Sequence, residues 1–198
     1  MKMVDNNKIE QIRIKARENH VPILQDASLE FIELMLELAK PKTILEVGTA
    51  VGYSALCFSR HLQAGGKIVT MELNEEMVKI ARENIKDNGM EDVIEVVHGD
   101  AYEHMKTLDE KFDVVFIDAA KGQYMKYLEE AMRLTHSGSV IIADNVLFKG
   151  RVLGEYNEHK HRTAVNRLRE YLKTIKEDEI LDSSLVDIGD GIAISVVK

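Results

Sequence analysis

A chain of 198 residues suits one domain, and a 45% hydrophobic share can fill one substantial core. With only two prolines, 30% charged residues and no low-complexity tract, the composition argues against long disordered regions, and no run reaches the roughly 20 apolar residues that cross a bilayer. A net charge of −8 disfavours general nucleic-acid binding, which needs positive charge, and a lone cysteine excludes an intrachain disulfide framework.

Met1–Asn7 lacks the apolar stretch of a secretory signal, so a soluble, cytoplasmic protein is expected. Residues 5–18 place Ile9, Ile12 and Ile14 among charges, the pattern of a short amphipathic helix. Pro22 interrupts it, residues 26–39 resume the helical spacing, and Pro41 ends that second helix. A β/α alternation follows. Short apolar runs at 43–47, 67–72, 93–97, 112–117 and 139–143 read as buried parallel strands, because such strands are covered on both faces. Helices are expected at about 53–63, 74–88, 101–108, 122–134 and 161–176, with Asn74 as an N-cap and Gly89 as a stop. Cys57 falls in the apolar stretch Ala55–Phe58, which predicts a packed, inert thiol. The tail differs: 183–188 and 192–197 flank Gly189-Asp190-Gly191 as a hairpin. The expected fold is therefore α/β, with a mostly parallel sheet of seven strands, an antiparallel C-terminal hairpin and helices on both faces.

In such sheets ligands bind beyond the carboxyl ends of the strands, and the informative residues fall there. The first strand runs into Glu46-Val47-Gly48-Thr49-Ala50-Val51-Gly52-Tyr53-Ser54, a small-residue turn that lets the backbone approach a ligand. Ala50 stands where a dinucleotide fingerprint has glycine. Glu72 ends the second strand, where a carboxylate can accept hydrogen bonds from both hydroxyls of a ribose. Asp100 follows the third strand and suits either an adenine amino group or the cap of the next helix. The fourth strand ends in Asp118-Ala-Ala-Lys121-Gly-Gln-Tyr124 and the fifth in Asp144-Asn145. Two carboxylates and an amide from adjacent strand ends supply hard oxygen donors suited to magnesium or another divalent cation, and no His/Cys cluster suggests zinc. Lys121 is the candidate proton acceptor if neutral, or an oxyanion stabiliser if charged. Tyr124 suits either a ligand contact or core packing.

E-x-G-x-x-x-G followed by a strand-end acid resembles the pattern of S-adenosylmethionine-dependent methyltransferases. Asp118-x-x-Lys121-x-x-Tyr124 with Asp144-Asn145 further resembles the cation-dependent O-methyltransferase family, which includes catechol and caffeoyl-coenzyme A methyltransferases; the likeness covers about residues 20–198. It implies a Rossmann-like class I methyltransferase fold. It implies a metal held by Asp118, Asp144 and Asn145, and Lys121 and Asp118 as catalytic residues. S-adenosylmethionine would be contacted by Leu24, Glu46, Gly48, Thr49, Ser54, Glu72, Asp100, Ala101, Asp118 and Tyr124. A homodimer is common in the family, and the N-terminal helices are the candidate interface.

His20-Val-Pro-Ile23, the 116–124 and 144–150 stretches and Gly189–Ser195 also resemble the bacterial branch that methylates 5-hydroxyuridine at the tRNA wobble position. That likeness makes the tRNA anticodon loop the expected partner, its adjacent 5-hydroxyl and 4-carbonyl oxygens mimicking a catechol. Lys149–Lys173 carries seven Lys/Arg against Glu155, Glu158 and Glu170, and Lys149, Arg151, Arg162 and Arg167 are the candidate phosphate contacts. A small catechol or phenol is the alternative acceptor. A cofactor-binding RNA protein without catalysis is a third reading, disfavoured because binding alone does not require Asp118, Lys121, Asp144 and Asn145.

Overall fold

A computed structural model describes residues 4–154 and 159–198; Met1–Met3 and residues 155–158, including Glu155 and Glu158 of the charge balance above, lie outside the described residues. Two helices, α1 (Asn6–Glu18) and α2 (Asp26–Ala39), precede the alternation β1 (Thr43–Val47), α3 (Tyr53–Phe58), β2 (Lys67–Glu72), α4 (Glu75–Asp87), β3 (Ile94–His98), α5 (Ala101–Met105), β4 (Phe112–Ile117), α6 (Tyr124–Arg133) and β5 (Thr135–Ala143). The chain ends with α7 (Arg162–Glu177), β6 (Leu181–Val186) and β7 (Ile192–Val197). The strand order is β3-β2-β1-β4-β5-β7-β6. The first five strands pair in parallel, and β7 runs antiparallel between β5 and β6.

The period-2 alternation of the strands divides the core in two. Ile44, Ile68, Ile94, Val114, Phe116 and Ile142 face one side, where α1, α2, α3 and α4 bury Ile9, Ile32, Leu56 and Val78. Leu45, Met71, Val115, Ile117 and Ile141 face the other, against Met105 of α5, Leu128 of α6 and Leu168 of α7. Helices therefore cover both faces, as expected from the continuous apolar strand runs. Caps match the sequence: Asn74 Oδ1 accepts from the amides of Glu76 (2.9 Å) and Met77 (3.3 Å). Cys57 is fully buried and burial pushes its thiol up to about 12, so it is inert at neutral pH. No helix among the described residues is long and apolar enough to cross a membrane.

Element boundaries depart from expectation where side-chain pattern and pairing disagree. β5 begins at Thr135, four residues before the apolar run; His136, Ser137 and Gly138 are exposed, and the β4–β5 register shifts between Phe112 and Val114. Gly138 has φ +88 there, a conformation that suits an irregular strand. β6 starts at Leu181 rather than 183 because Leu181 pairs with Val197 and is buried, while the following Asp182-Ser-Ser run sits on the sheet edge, where polar residues are tolerated. The helix expected at 53–63 is α-helical only to Phe58 and finishes as a 3₁₀ turn, Ser59–His61. The one expected from 101 to 108 stops at Met105, and a 3₁₀ turn at Lys121–Gln123 precedes α6.

Candidate active site

The carboxyl ends of β1, β2, β4 and β5 open into a cleft of two adjoining lobes that share Gly48, Glu72, Asp118 and Ala119. One lobe, about 220 Å³, is walled by Met71, Leu73, Asp100, Ala101, Gln123 and Tyr127 among others. The other, about 480 Å³, is walled by Pro22, Ile23, Gln25, Ala50, Lys121, Asp144 and Asn145 among others. Volumes of this order suit a small organic ligand in each lobe.

The turn after β1 is tightly constrained. Gly48 has φ +99, and a Cβ there would collide with the Asp118 carbonyl oxygen, so only glycine allows the β1 and β4 ends to lie this close. Ala50 takes a left-handed conformation (φ 46) although it carries a side chain. Its amide is held by Glu72 Oε2 at 2.9 Å, while Glu72 Oε1 accepts from the Asn74 amide at 2.9 Å. Glu72 thus stands between two turns and faces both lobes. Asp100 caps α5 through the Glu103 amide (3.1 Å) and also lines the smaller lobe, so both of its anticipated roles are compatible with its place.

Several residues anticipated at the ligand are not on the walls of the two lobes. Tyr124 is fully buried, its hydroxyl donates to the Asp144 backbone carbonyl (2.7 Å), and its ring meets Tyr171 edge-on. It therefore packs the core under the site; Tyr127, one helical turn later, is the tyrosine that reaches the cleft. The Leu24 side chain is buried, while Pro22, Ile23 and Gln25 on either side of it line the larger lobe, so the backbone here runs along the cleft. Glu46, Thr49 and Ser54 line neither lobe and form a buried network behind the turn. Ser54 Oγ and Thr70 Oγ1 each donate to Glu46 at 2.5 Å, and Thr49 Oγ1 lies 2.6 Å from Thr70 Oγ1.

Glu46 has no exposed surface, and burial pushes its carboxyl up to about 7 against the pull of the Ser54 and Thr70 hydrogen bonds. Between its ordinary value of 4.5 and about 7 the unfolded chain releases a proton that the folded chain keeps. The stability this group contributes is present below 4.5 and lost as pH rises through about 7. Glu46→Gln should therefore gain on the parent as pH rises from about 5 to 8, by several degrees of melting temperature, given about 2–4 °C per kcal/mol for a chain this size. A pH-independent difference between the two melting curves would remove the buried-proton assignment.

At the junction of the lobes, Asp118, Asp144 and Asn145 converge. Asn145 Nδ2 lies 2.9 Å from Asp118 Oδ1 and 3.1 Å from Asp144 Oδ2. Asn145 adopts φ +59, which asparagine tolerates better than most residues and which turns its amide back toward both carboxylates. Ser28 at the start of α2 approaches Asp144 Oδ1 at 3.5 Å. Asp144 is 1% exposed; burial and then the neighbouring Asp118 charge push it up to about 7. Burial likewise raises Asp118, opposed by Asn145 and the Lys121 charge. Two mutually repelling carboxylates, Asp144 buried and Asp118 half-buried, beside an amide whose oxygen and nitrogen exchange on a flip fit a hard divalent cation. Among the described residues no group of three or more His, Cys, Asp or Glu gathers to hold a metal, so this set of two carboxylates and one amide is the candidate.

Lys121 lines the same lobe, with its Nζ 5.4 Å from the centre of the Phe148 ring. The Arg151 guanidinium carbon lies 5.1 Å from that ring centre, and the His161 ring packs edge-on at 5.3 Å. Arg151 and Lys121 thus share the Phe148 ring, and the Phe148–His161 contact brings the start of α7, with exposed Arg162, to the same loop. Lys149 is exposed on that loop, whereas Arg167 is paired with Glu170 (2.8 Å) further along α7.

A parallel α/β sheet with a ligand cleft across its strand ends, an acidic residue closing β2 and a carboxylate pair closing β4 and β5 defines a Rossmann-like transferase framework. The family model described as O-methyltransferase matches residues 3–198, and the chain belongs to that family. It is 32% identical over 178 residues to a catechol O-methyltransferase of Niastella koreensis, covering 85% of this chain and 79% of that protein. It is 33% identical over 175 residues to a catechol O-methyltransferase of Mycobacterium tuberculosis, covering 85% and 78%. An O-methyltransferase from Bacillus cereus, solved in complex with SAH, superposes with a TM-score of 0.88 over 98% of this chain and 92% of its own, at 29% identity.

Proposed function

We propose that this protein transfers the methyl group of S-adenosylmethionine to one of two neighbouring oxygens on a small catechol-like aromatic acceptor, with a divalent cation held by Asp118, Asp144 and Asn145. The observation that carries the reading is the convergence of those three side chains where the two lobes meet. The smaller lobe, with Glu72 and Asp100 on its wall, suits the cofactor's ribose and adenine; the larger, with Lys121, Asp144 and Asn145, suits the acceptor. The catechol O-methyltransferases among the relatives, and the Bacillus cereus O-methyltransferase solved in complex with SAH, support a methyl donor and an acceptor of this kind.

Methyl transfer is an in-line displacement in which an acceptor oxygen attacks the sulfonium methyl carbon and the carbon–sulfur bond breaks. The bound cation would favour the ionised acceptor hydroxyl and orient it. Asp118 lines both lobes and sets their relative position, because its carboxylate meets Asn145 while its carbonyl abuts Gly48. Lys121, neutral, takes the hydroxyl proton at Nζ; charged, it stabilises the resulting oxyanion. Met71 and Leu73 give the cofactor side an apolar wall.

A second reading is 5-hydroxyuridine in a tRNA anticodon loop, whose adjacent oxygens present the same chelating pair. The exposed Lys149 and Arg162 and the Arg151 guanidinium, gathered about the loop that follows Asn145, favour it. Incubation with labelled S-adenosylmethionine and magnesium, against catechols, monophenols and hydroxyuridine-containing tRNA, separates the readings. Catechols should be methylated, monophenols should not, and a chelator should abolish turnover. Turnover of tRNA alone would replace the first reading by the second; turnover of monophenols at the catechol rate would defeat the chelation argument for both.

A further inference from the structure

The loop that follows Asp144-Asn145 is held in a costly shape. Phe148 (φ 48), Lys149 (φ 56) and Gly150 (φ 74) are three consecutive left-handed residues, two of them with side chains that disfavour it. Local turns close over the loop, with the Phe148 amide donating to the Asn145 carbonyl (3.3 Å) and the Arg151 amide to the Phe148 carbonyl (3.2 Å), and further bonds come from the far end of the chain, the turn between β6 and β7. The Val146 amide donates to the Gly191 carbonyl (3.0 Å) and the Leu147 amide to the Asp190 carbonyl (2.9 Å). The Lys149 amide donates to the Asp190 carboxylate, the one side chain in the clamp. Gly191 (φ +85) lies so close to Leu147 that any Cβ would overlap its side chain, and a Cβ on Gly189 would overlap Ser28 Oγ. The hairpin turn is therefore wedged between α2 and the metal-side loop.

The ring that this shape aims is Phe148, whose centre lies 5.4 Å from Lys121 Nζ and 5.1 Å from the Arg151 guanidinium carbon. A cation over an aromatic face is attracted by the ring's quadrupole, so the ring's position limits where Nζ can go. We propose that Asp190 is a positioning residue for methyl transfer: its carboxylate locks the 148–150 turn, and the Phe148 ring so fixed holds Lys121 at the acceptor side of the cleft. Asp190 touches neither lobe; it acts through the backbone of Lys149 and the ring of Phe148. The proposal rests on the reading of Lys121 as an acceptor-side group.

Asp190→Ala removes the acceptor of the Lys149 amide, Asp190→Asn keeps an oxygen there, and Phe148→Leu removes the ring. With catechol as acceptor, Asp190→Ala should lower kcat by about tenfold, the worth of one lost charge-assisted hydrogen bond. SAH affinity should be unchanged, and Asp190→Asn should restore most of the rate. Because both changes act on one device, the double variant Asp190→Ala/Phe148→Leu should be no slower than the worse single variant. A readout independent of any acceptor is the rate of reductive methylation at Lys121, followed by mass spectrometry with exposed Lys86 on α4 as internal reference. Asp190→Ala and Phe148→Leu should speed labelling of Lys121 relative to Lys86, and Asp190→Asn should not. Unchanged labelling at Lys121, or multiplicative losses of kcat in the double variant, would overturn the proposal. Faster labelling with no acceptor methylated by the parent would leave the clamp standing and sink the functional reading instead.

Discussion

Replacing Asp144 by alanine is expected to lower kcat by about a thousandfold or more, the scale of losing several kcal/mol of transition-state charge stabilisation, while SAH binding changes little. The separation follows from the layout of the cleft: Asp144 lines the larger lobe only, whereas the residues suited to adenine and ribose line the smaller one or the boundary. Stability should move the opposite way from activity. Asp144 is a buried carboxylate facing Asp118, and Asn145 offers it one hydrogen bond while Ser28 stands at the limit of another. Removing it relieves a buried like-charge pair, so without added metal the variant should melt no lower than the parent apart from the small cavity left behind. Added magnesium should raise the melting temperature of the parent, because a ligand that binds only the folded state stabilises it, and should not raise that of the variant. Turnover within tenfold of the parent, or an equal magnesium-induced shift in both proteins, would sink the assignment of the cation to this site.

Much of this arrangement was legible because the chemistry sits where local pattern is strongest. Apolar strand runs end abruptly in polar residues, and a parallel sheet puts all those ends on one edge, so Glu72, Asp100, Asp118 and Asp144 could be assigned to a common cleft before any coordinates. Other placements depend on packing that local pattern does not carry. Whether Tyr124 or Tyr127 faces the ligand depends on how α6 is rotated on the sheet, and the helix begins only after a 3₁₀ turn that shifts its phase. The resemblance places Glu46, Thr49 and Ser54 at the cofactor. Their hydroxyl and carboxyl groups also hydrogen-bond to one another and to Thr70 on the next strand, a pairing across strands that no local spacing announces. Ser28 and Asp190 were invisible as contributors. Ser28 meets Asp144 across 116 positions and Asp190 meets Lys149 across 41, and separations of that kind leave no periodic trace. The one available sign for Asp190 was its place between two glycines, which marked a tight turn without saying what it would press against.

Gly48→Ala is expected to be the most disruptive single-methyl change in the chain, and comparison with Gly52→Ala separates its causes. Both glycines have positive φ, +99 and +81, so alanine is strained at either position, by about 1–2 kcal/mol. At Gly52 the added methyl would meet Ala81 at an ordinary 3.4 Å, so strain is the whole cost and the site keeps its shape. At Gly48 the methyl would collide with the Asp118 carbonyl, a backbone atom that cannot swing aside. Relief requires the ends of β1 and β4 to separate, yet the Asp118 amide donates to the Val47 carbonyl at 3.0 Å and the Gly48 amide to the Met71 carbonyl at 3.0 Å. Moving either strand end therefore costs buried hydrogen bonds as well as packing, about 3 kcal/mol or more in total. It also displaces Asp118, which lines both lobes. Gly48→Ala should thus lower the melting temperature by about 6–12 °C and weaken SAH binding by about a hundredfold, against a few degrees and a severalfold loss for Gly52→Ala. Calorimetric titration with SAH and thermal melts of the two variants give the comparison directly. Equal penalties at the two positions would mean that backbone strain alone governs the turn, and that the contact between Gly48 and the Asp118 carbonyl does not couple the cofactor lobe to the acceptor lobe.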